Sequence, residues 1–287
     1  MKINERCREC LRRKYTGNVP PSATAEQAAG LRTGVGDILE RGGERCAPQL
    51  AEELDALRFR LFGTEKDYTA IKRHYNDLML SLLPHMLERV QSAPDPLERA
   101  VQYALAGNYI DFAAVADVDE DRLRETLDAA AEIAVGRETL EAFRDEVARG
   151  RRAVYFTDNC GEIVADKLLI GQMRAVSPAL EVTVIVRGKP VVNDATMEDA
   201  AVVRMEEVAR RVLGSGNGMP GNVIGALSPQ AEEEVRRADL LVSKGQGNYE
   251  GLSGCGLNIF YLFLCKCDLF VERFHVPRFT GIMTRER

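Results

Sequence analysis

Tryptophan is absent from this 287-residue chain, and histidine occurs only at His74, His85 and His275. Any metal site must therefore draw mainly on carboxylates, carboxamides or cysteines. Seven cysteines, unevenly spaced, are too few for a secreted disulfide framework in a chain of this length. Long apolar runs are also missing. The longest, Ile259–Cys265, falls far short of the ~20 residues a spanning helix takes. The opening MKINERCRECLRRKY is basic but lacks the apolar stretch of a signal peptide. Positive charge is in deficit, with 38 Lys plus Arg against 44 Asp plus Glu and a net charge of −6, which disfavours a dedicated nucleic-acid binder. These absences predict a cytoplasmic protein with reduced thiols and neither a nucleic-acid nor a membrane partner. The sequence leaves the oligomeric state open.

What is present divides into two halves. Residues 1–150 carry 21 basic and 27 acidic side chains, whereas residues 151–287 carry 17 of each. Segments 23–41, 47–61, 67–91, 96–106 and 119–148 are rich in Ala, Leu, Glu and Arg, the strong helix formers. Within 67–91, Ile71, Tyr75, Leu78, Leu82 and Met86 recur at helical spacing. Gly63, Gly107, Pro94 and Pro96 punctuate the pattern. From Arg151 the texture changes. Arg152–Phe156, Glu181–Val186 and Asp239–Ser243 read as strands, and Asp268–Phe274 as a weaker fourth. Helical patterns at 162–175, 196–213 and 229–238 separate them. The expectation is an α/β fold: an all-α domain over 1–148, then a parallel sheet covered on both faces over 149–287.

In such sheets ligands bind at the carboxyl ends of the strands. Thr157-Asp158-Asn159-Cys160-Gly161-Glu162 follows the first strand, Arg187-Gly188-Lys189-Pro190 and then Asn193-Asp194 the second, and Lys244-Gly245-Gln246-Gly247-Asn248 the third. Asp158, Asn159 and Asp194 are hard oxygen donors of the kind Mg²⁺ takes, and one ion suits both aspartates if the first two strands are neighbours. Arg187, Lys189 and Lys244 supply positive charge for a phosphoryl group, while Gly245 and Gly247 open the backbone to it. Each motif has a plainer reading as a helix cap or a tight turn. Gly245, Gly247 and Gly251 also approximate a dinucleotide loop whose third glycine comes one residue late, with Asp268 near the place of a ribose-binding acid.

The blocks TDNCGEIVADKLL (157–169), VRGKPVVNDATMEDA (186–200) and KGQGNYEGL (244–252) resemble the signatures of the DUF89 family, also described as ARMT1-like damage-control phosphatases. The compact archaeal and bacterial subgroup is the most similar. Cys7-x-x-Cys10, Ile71-Lys72-Arg73-x-x-Asn76 and Gly107-Asn108-Tyr109-Ile110-Asp111 extend the resemblance over nearly the whole chain. It implies a Rossmann-like three-layer α/β domain beside the helical one, with a divalent metal (Mg, Mn, Co or Ni) in the cleft on Asp158, Asn159 and Asp194. The implied chemistry is hydrolysis of phosphate monoesters of small metabolites, sugar phosphates or damaged phosphometabolites. Lys244 is then expected on the substrate phosphate with Arg187, and Gly245, Asn248, Glu162 and Asn193 beside it. Asn76, Asn108 and Asp111 would come from the helical wall to orient hydroxyls. Asp158 and Asp194 carry the catalysis. The residue two after Asp158 is Cys160 rather than the aspartate of an aspartyl-phosphate enzyme, which favours water as the nucleophile. Cys160 stands where the family more often has alanine, and a thiol there is expected to be oxidation-sensitive.

Alternatives from other classes are an S-adenosylmethionine- or dinucleotide-dependent enzyme, such as a carboxyl methyltransferase, and a non-catalytic metabolite-binding protein. Cys7 and Cys10 have the spacing of half a zinc site, with Cys265 and Cys267 or Cys46 as possible complements, but packing on a helix face explains them as well. The histidines share no ligand spacing and read as surface or boundary residues.

Overall fold

The computed structural model describes residues 1–63, 67–110 and 119–287. Among these the chain before residue 150 is helical: α1 (Glu5–Gly17), α2 (Ala25–Glu40), α3 (Ala47–Phe62), α4 (Thr69–Gln91), α5 (Pro96–Gly107), α6 (Glu120–Asp128) and α7 (Arg137–Arg149). Local chemistry sets the ends. Thr24 and Gln27 close a capping box that starts α2. Asp95 caps α5 ahead of Pro96, and Gly63 ends α3 in the left-handed conformation.

The remainder alternates β1 (Arg152–Phe156), α8 (Glu162–Val176), β2 (Glu181–Val186), α9 (Met197–Val202), β3 (Arg211–Gly214), α10 (Pro229–Arg237), β4 (Leu240–Lys244), α11 (Gln246–Leu252), β5 (Ile259–Leu264), α12 (Asp268–Phe274) and β6 (Gly281–Glu286). The strands form one sheet in the order β3-β2-β1-β4-β5-β6, parallel except for β6, which runs antiparallel to β5. The order reverses between β1 and β4, which is where this architecture places ligands. No helix among the described residues is long and apolar enough to cross a membrane.

Several elements differ from expectation, and the antiparallel β6 and the helix α11 stand where no element was expected. Asp268–Phe274 is helix rather than strand, because Phe270 and Phe274 lie one turn apart and stack at 5.9 Å. The helix expected over 196–213 stops at Val202. Arg204 turns left-handed (φ 53°), and 211–214 joins the sheet as β3. The apolar run at 259–264 is β5, buried along its whole length and therefore without the alternation that marks a half-exposed strand.

Strand side chains alternate between two cores. Tyr155, Val184, Val242 and Leu262 face α4, α5, α7 and α8, while Val154, Ile185, Leu241 and Tyr261 face α10–α12. Phe143 of α7 meets Phe260 of β5 edge to face at 5.1 Å. A third core, with Leu31, Leu39, Leu50 and Leu54 fully buried, holds α1–α3 together. The cores thus do not divide at residue 148, since α4–α7 pack as the covering layer of the sheet. This layer brings helical residues against the strand ends.

Candidate active site

β1 and β2 are adjacent parallel strands, and their pairing continues into the loops that follow them. Ala195 N–H donates to Asp158 O at 2.7 Å, Cys160 N–H donates to Asn193 O at 2.8 Å, and Asn159 and Asp194 form an antiparallel bridge. The main chain itself therefore brings Asp158, Asn159 and Asp194 together. Arg187, almost completely buried, spans the two carboxylates. Its Nε donates to Asp194 Oδ2 at 2.5 Å, its Nη2 to Asp158 Oδ1 at 3.3 Å, and its Nη1 to Asn248 Oδ1 at 3.0 Å. Asn248, in α11, donates through Nδ2 to Thr157 O after β1 at 3.0 Å and to Lys244 O of β4 at 2.7 Å. Asn193 Nδ2 donates to Asn159 Oδ1 at 3.1 Å.

Two carboxylates and a carboxamide are a hard-oxygen donor set, and by chemistry they fit Mg²⁺ or Mn²⁺. Each carboxylate oxygen offers more than one lone-pair direction, so the bonds to Arg187 leave room for a further partner. Among the described residues no three histidine, cysteine or carboxylate side chains group as a ligand set, so the carboxamide is needed to complete this one.

Behind the donors lies a second, fully buried layer. Lys244 Nζ donates to Glu162 Oε1 at 2.5 Å, Asp166 Oδ1 at 2.8 Å and Ala104 O at 2.8 Å. Its three protons are thus taken, and a phosphoryl oxygen would have to displace one acceptor to reach it. Burial pulls the ammonium down, but Asp166 and Glu162 outweigh it and hold Lys244 above its usual value. Glu162 also accepts from Asn108 Nδ2 at 2.9 Å and Asn159 Nδ2 at 2.8 Å. Asn108, from the end of α5, reaches Asp158 Oδ2 at 3.2 Å and accepts from Leu264 N–H at 2.9 Å. Asp166 accepts from Tyr155 OH at 2.7 Å, and its other oxygen has no partner. Burial raises its carboxyl to about 6, with Lys244 acting in the opposite direction.

Asn76 of α4 accepts from Gly161 N–H at 2.7 Å and donates to Asp199 at 2.8 Å. Asp111 lies outside the described residues. Both Asn76 and Asn108 therefore reach the site, but their carboxamides are spent on protein partners. Arg187 and Lys244 are likewise buried in ion pairs, so of the three strand-end cations only Lys189 is exposed. Sequence reasoning gave no role to Asp166, Tyr155 or Asp199. The Thr196-x-x-Asp199 capping-box spacing marks Asp199, whereas nothing local marks a strand residue such as Tyr155 as a partner of α8.

The glycines after β4 serve packing. At Gly245 (φ 81°) a Cβ would fall 2.1 Å from Asp158 Oδ2, and its N–H is taken by Leu262 O. At Gly247 a Cβ would fall 2.0 Å from Pro220 O. The space that a dinucleotide loop leaves for pyrophosphate is filled here by the chain itself, and Asp268 is exposed and paired with Arg278 at 2.7 Å. The 214–221 segment forms a cleft wall, held to α3 by Gly218 N–H donating to Glu52 at 2.9 Å. Cys160 is fully buried, and burial pushes its thiol up, which keeps it protonated and poorly reactive. The other cysteines are free, and none joins a metal-ligand group among the described residues. All three histidines are exposed.

Asp194 and Asn76 open onto a cleft of about 1290 Å³ between α1, α3 and α4 on one side and residues 189–202 and 218–220 on the other. Lys72 of α4 crosses it to Asp199 at 2.6 Å.

Residues 4–280 match the model of the damage-control phosphatase ARMT1-like domain. A damage-control phosphatase of Archaeoglobus fulgidus is 32% identical over 221 residues, covering 76% of this chain and 75% of the relative. A damage-control phosphatase of Pyrococcus horikoshii is 32% identical over 191 residues, covering 66% of this chain and 65% of the relative. The crystal structure of a DUF89 family protein from P. horikoshii superposes with a TM-score of 0.81 over 100% of both chains at 24% identity, a likeness of fold.

Proposed function

We propose, from the premise that this chain belongs to the damage-control phosphatase ARMT1-like family, that it hydrolyses phosphate monoesters of small metabolites in a metal-dependent reaction. The observation that carries the reading is the hydrogen-bonded pairing of the two strand-end loops, which gathers Asp158, Asn159 and Asp194 at one place beside the cleft. Held by these three residues, a divalent cation such as Mg²⁺, Mn²⁺, Co²⁺ or Ni²⁺ would supply Lewis-acid polarisation of a phosphoryl oxygen.

The remaining work falls to the protein's own groups. Arg187 fixes the two carboxylates against each other. Lys189, exposed at the cleft, offsets the charge of an entering phosphoryl group. Asn108, Glu162 and Lys244 fix the orientation of Asp158 from behind, and Asn193 and Asn248 fix the loops, so these residues position the site. Both oxygens of Asp158 are held, by Arg187 on one side and by Asn108 and Asn159 on the other. Water is read as the nucleophile because Cys160 stands where an aspartyl-phosphate enzyme of the Asp-x-Asp type carries its second aspartate. With the glycine loop closed by packing, a dinucleotide or S-adenosylmethionine reading has little support.

The test is turnover of p-nitrophenyl phosphate and a sugar-phosphate panel with Mg²⁺, Mn²⁺, Co²⁺ and Ni²⁺, before and after chelation, beside Asp158→Ala. Metal-restored hydrolysis that Asp158→Ala abolishes supports the reading. Absence of hydrolysis with every metal overturns it.

A further inference from the structure

Exposed large apolar side chains are scarce in the described residues: Phe59, Leu87, Met197, Val202 and Phe279. Two of them, Phe59 at 51% exposure and Val202 at 39%, line the cleft from opposite walls, and Met197 opens the same short helix as Val202. Tyr68, half-buried, adds a second ring beside Phe59's wall. Two of these five apolar side chains thus line the cavity that Asp194 also lines, where a bound molecule could cover them.

Val192 adds an independent observation. It lines the same cleft, two residues before Asp194, with φ 44°. A β-branched residue in the left-handed region is strained, and glycine or asparagine would fill the position more cheaply. The chain accepts that strain while keeping an isopropyl group half-exposed to the cavity.

Several polar groups of the lining are already bonded within the protein. Asn76 and Lys72 are bonded to Asp199, Glu52 accepts from Gly218 N–H, Arg58 is spent on Tyr15 O and Asn18 O, and Asp67 caps Thr69 N–H. The charged side chains Lys14, Arg73, Lys189 and Glu198 are exposed around the cleft, and Phe59, Val192 and Val202 supply apolar lining between them.

We propose that the cleft selects phosphate monoesters whose alcohol portion carries an aromatic ring, in preference to polyol phosphates. Phe59 and Tyr68 on one wall and Val192 and Val202 on the other form the lining such a ring packs against, with the phosphoryl group directed to the Asp194 end. The inference rests on the phosphatase reading and deepens it.

The test compares 2-phenylethyl phosphate with glycerol 3-phosphate, both esters of alkyl alcohols with similar leaving-group character. The expected result is a kcat/KM at least about tenfold higher for 2-phenylethyl phosphate, and a roughly tenfold collapse of that ratio in Phe59→Ala, carried by KM. Equal kcat/KM on the two esters, or an equal KM change on both in the variant, overturns the proposal. Binding of the non-hydrolysable 2-phenylethylphosphonate, measured by calorimetry, reads the cleft apart from turnover. A Kd about tenfold weaker in Phe59→Ala supports the proposal, and an unchanged Kd overturns it. Failure of all hydrolysis with binding intact would sink the phosphatase reading alone.

Discussion

Beneath the strand ends, Lys244, Glu162, Asp166 and Asn108 are fully buried and bonded to one another, whereas in the adjoining cleft Lys189, Arg73 and Phe59 face water. Both regions are built from residue types that bind ligands in other proteins. Burial decides which of them can do so here. A lysine with three protein acceptors fixes its neighbours. A lysine or a phenyl ring left at a cavity mouth is available to a ligand. The first region should therefore answer to mutation through stability and geometry, and the second, on the proposed reading, through selectivity.

The largest effect that can break this contrast is expected at Lys244→Met. Removing one member of a buried ion cluster leaves Glu162 and Asp166 without their counter-charge, at a cost of about 3–5 kcal/mol. The midpoint of denaturant unfolding measures it, and a midpoint unchanged from the parent chain would return Lys244 to the ligand side. Asp158→Ala lies on the boundary between the regions. On the proposed reading it is expected to lower kcat/KM on p-nitrophenyl phosphate by roughly 10²–10³-fold, because it removes one of the proposed metal-holding groups.

Asn108→Leu should cost about 1–3 kcal/mol by stranding Leu264 N–H and one side of Glu162. It should also lower kcat through the misplaced Asp158, and urea unfolding with steady-state kinetics separates the two effects. A further prediction concerns pH. Burial holds the Asp166 carboxyl at about 6, so the folded chain keeps a proton that an unfolded carboxyl, near ~3.9, releases earlier. Stability should therefore fall as the pH rises from about 4 to about 6 and level off above that. In Asp166→Asn that part of the slope should vanish. A slope that persists would assign the titration elsewhere.

Much of the frame was legible because periodicity reports one-sided burial. The helices of the first half follow from it, whereas β1 and β2, buried on both faces, are legible from short Val-, Ile- and aromatic-rich runs bounded by turn residues. β5, Ile-Phe-Tyr-Leu-Phe-Leu, is a continuous apolar run that periodicity alone does not separate from a buried helix segment. α12 reads as a strand because seven residues rich in Phe, Leu and Val satisfy either period. At the site, the meeting of Asp158 and Asp194 followed from strand adjacency alone. The commitments of Asn108 and Lys244 did not, since a sequence shows that a residue is a lysine but not how many acceptors surround it after folding.

The backbone pairing that carries Asp158 and Asp194 has a consequence for the thermodynamics of binding. The amides of Cys160 and Ala195, nominally in loops, are bonded as firmly as ladder amides and should exchange with deuterium on the timescale of the sheet. A donor set carried on such loops loses little conformational freedom when it takes a ligand, so little of the binding free energy is spent on ordering it.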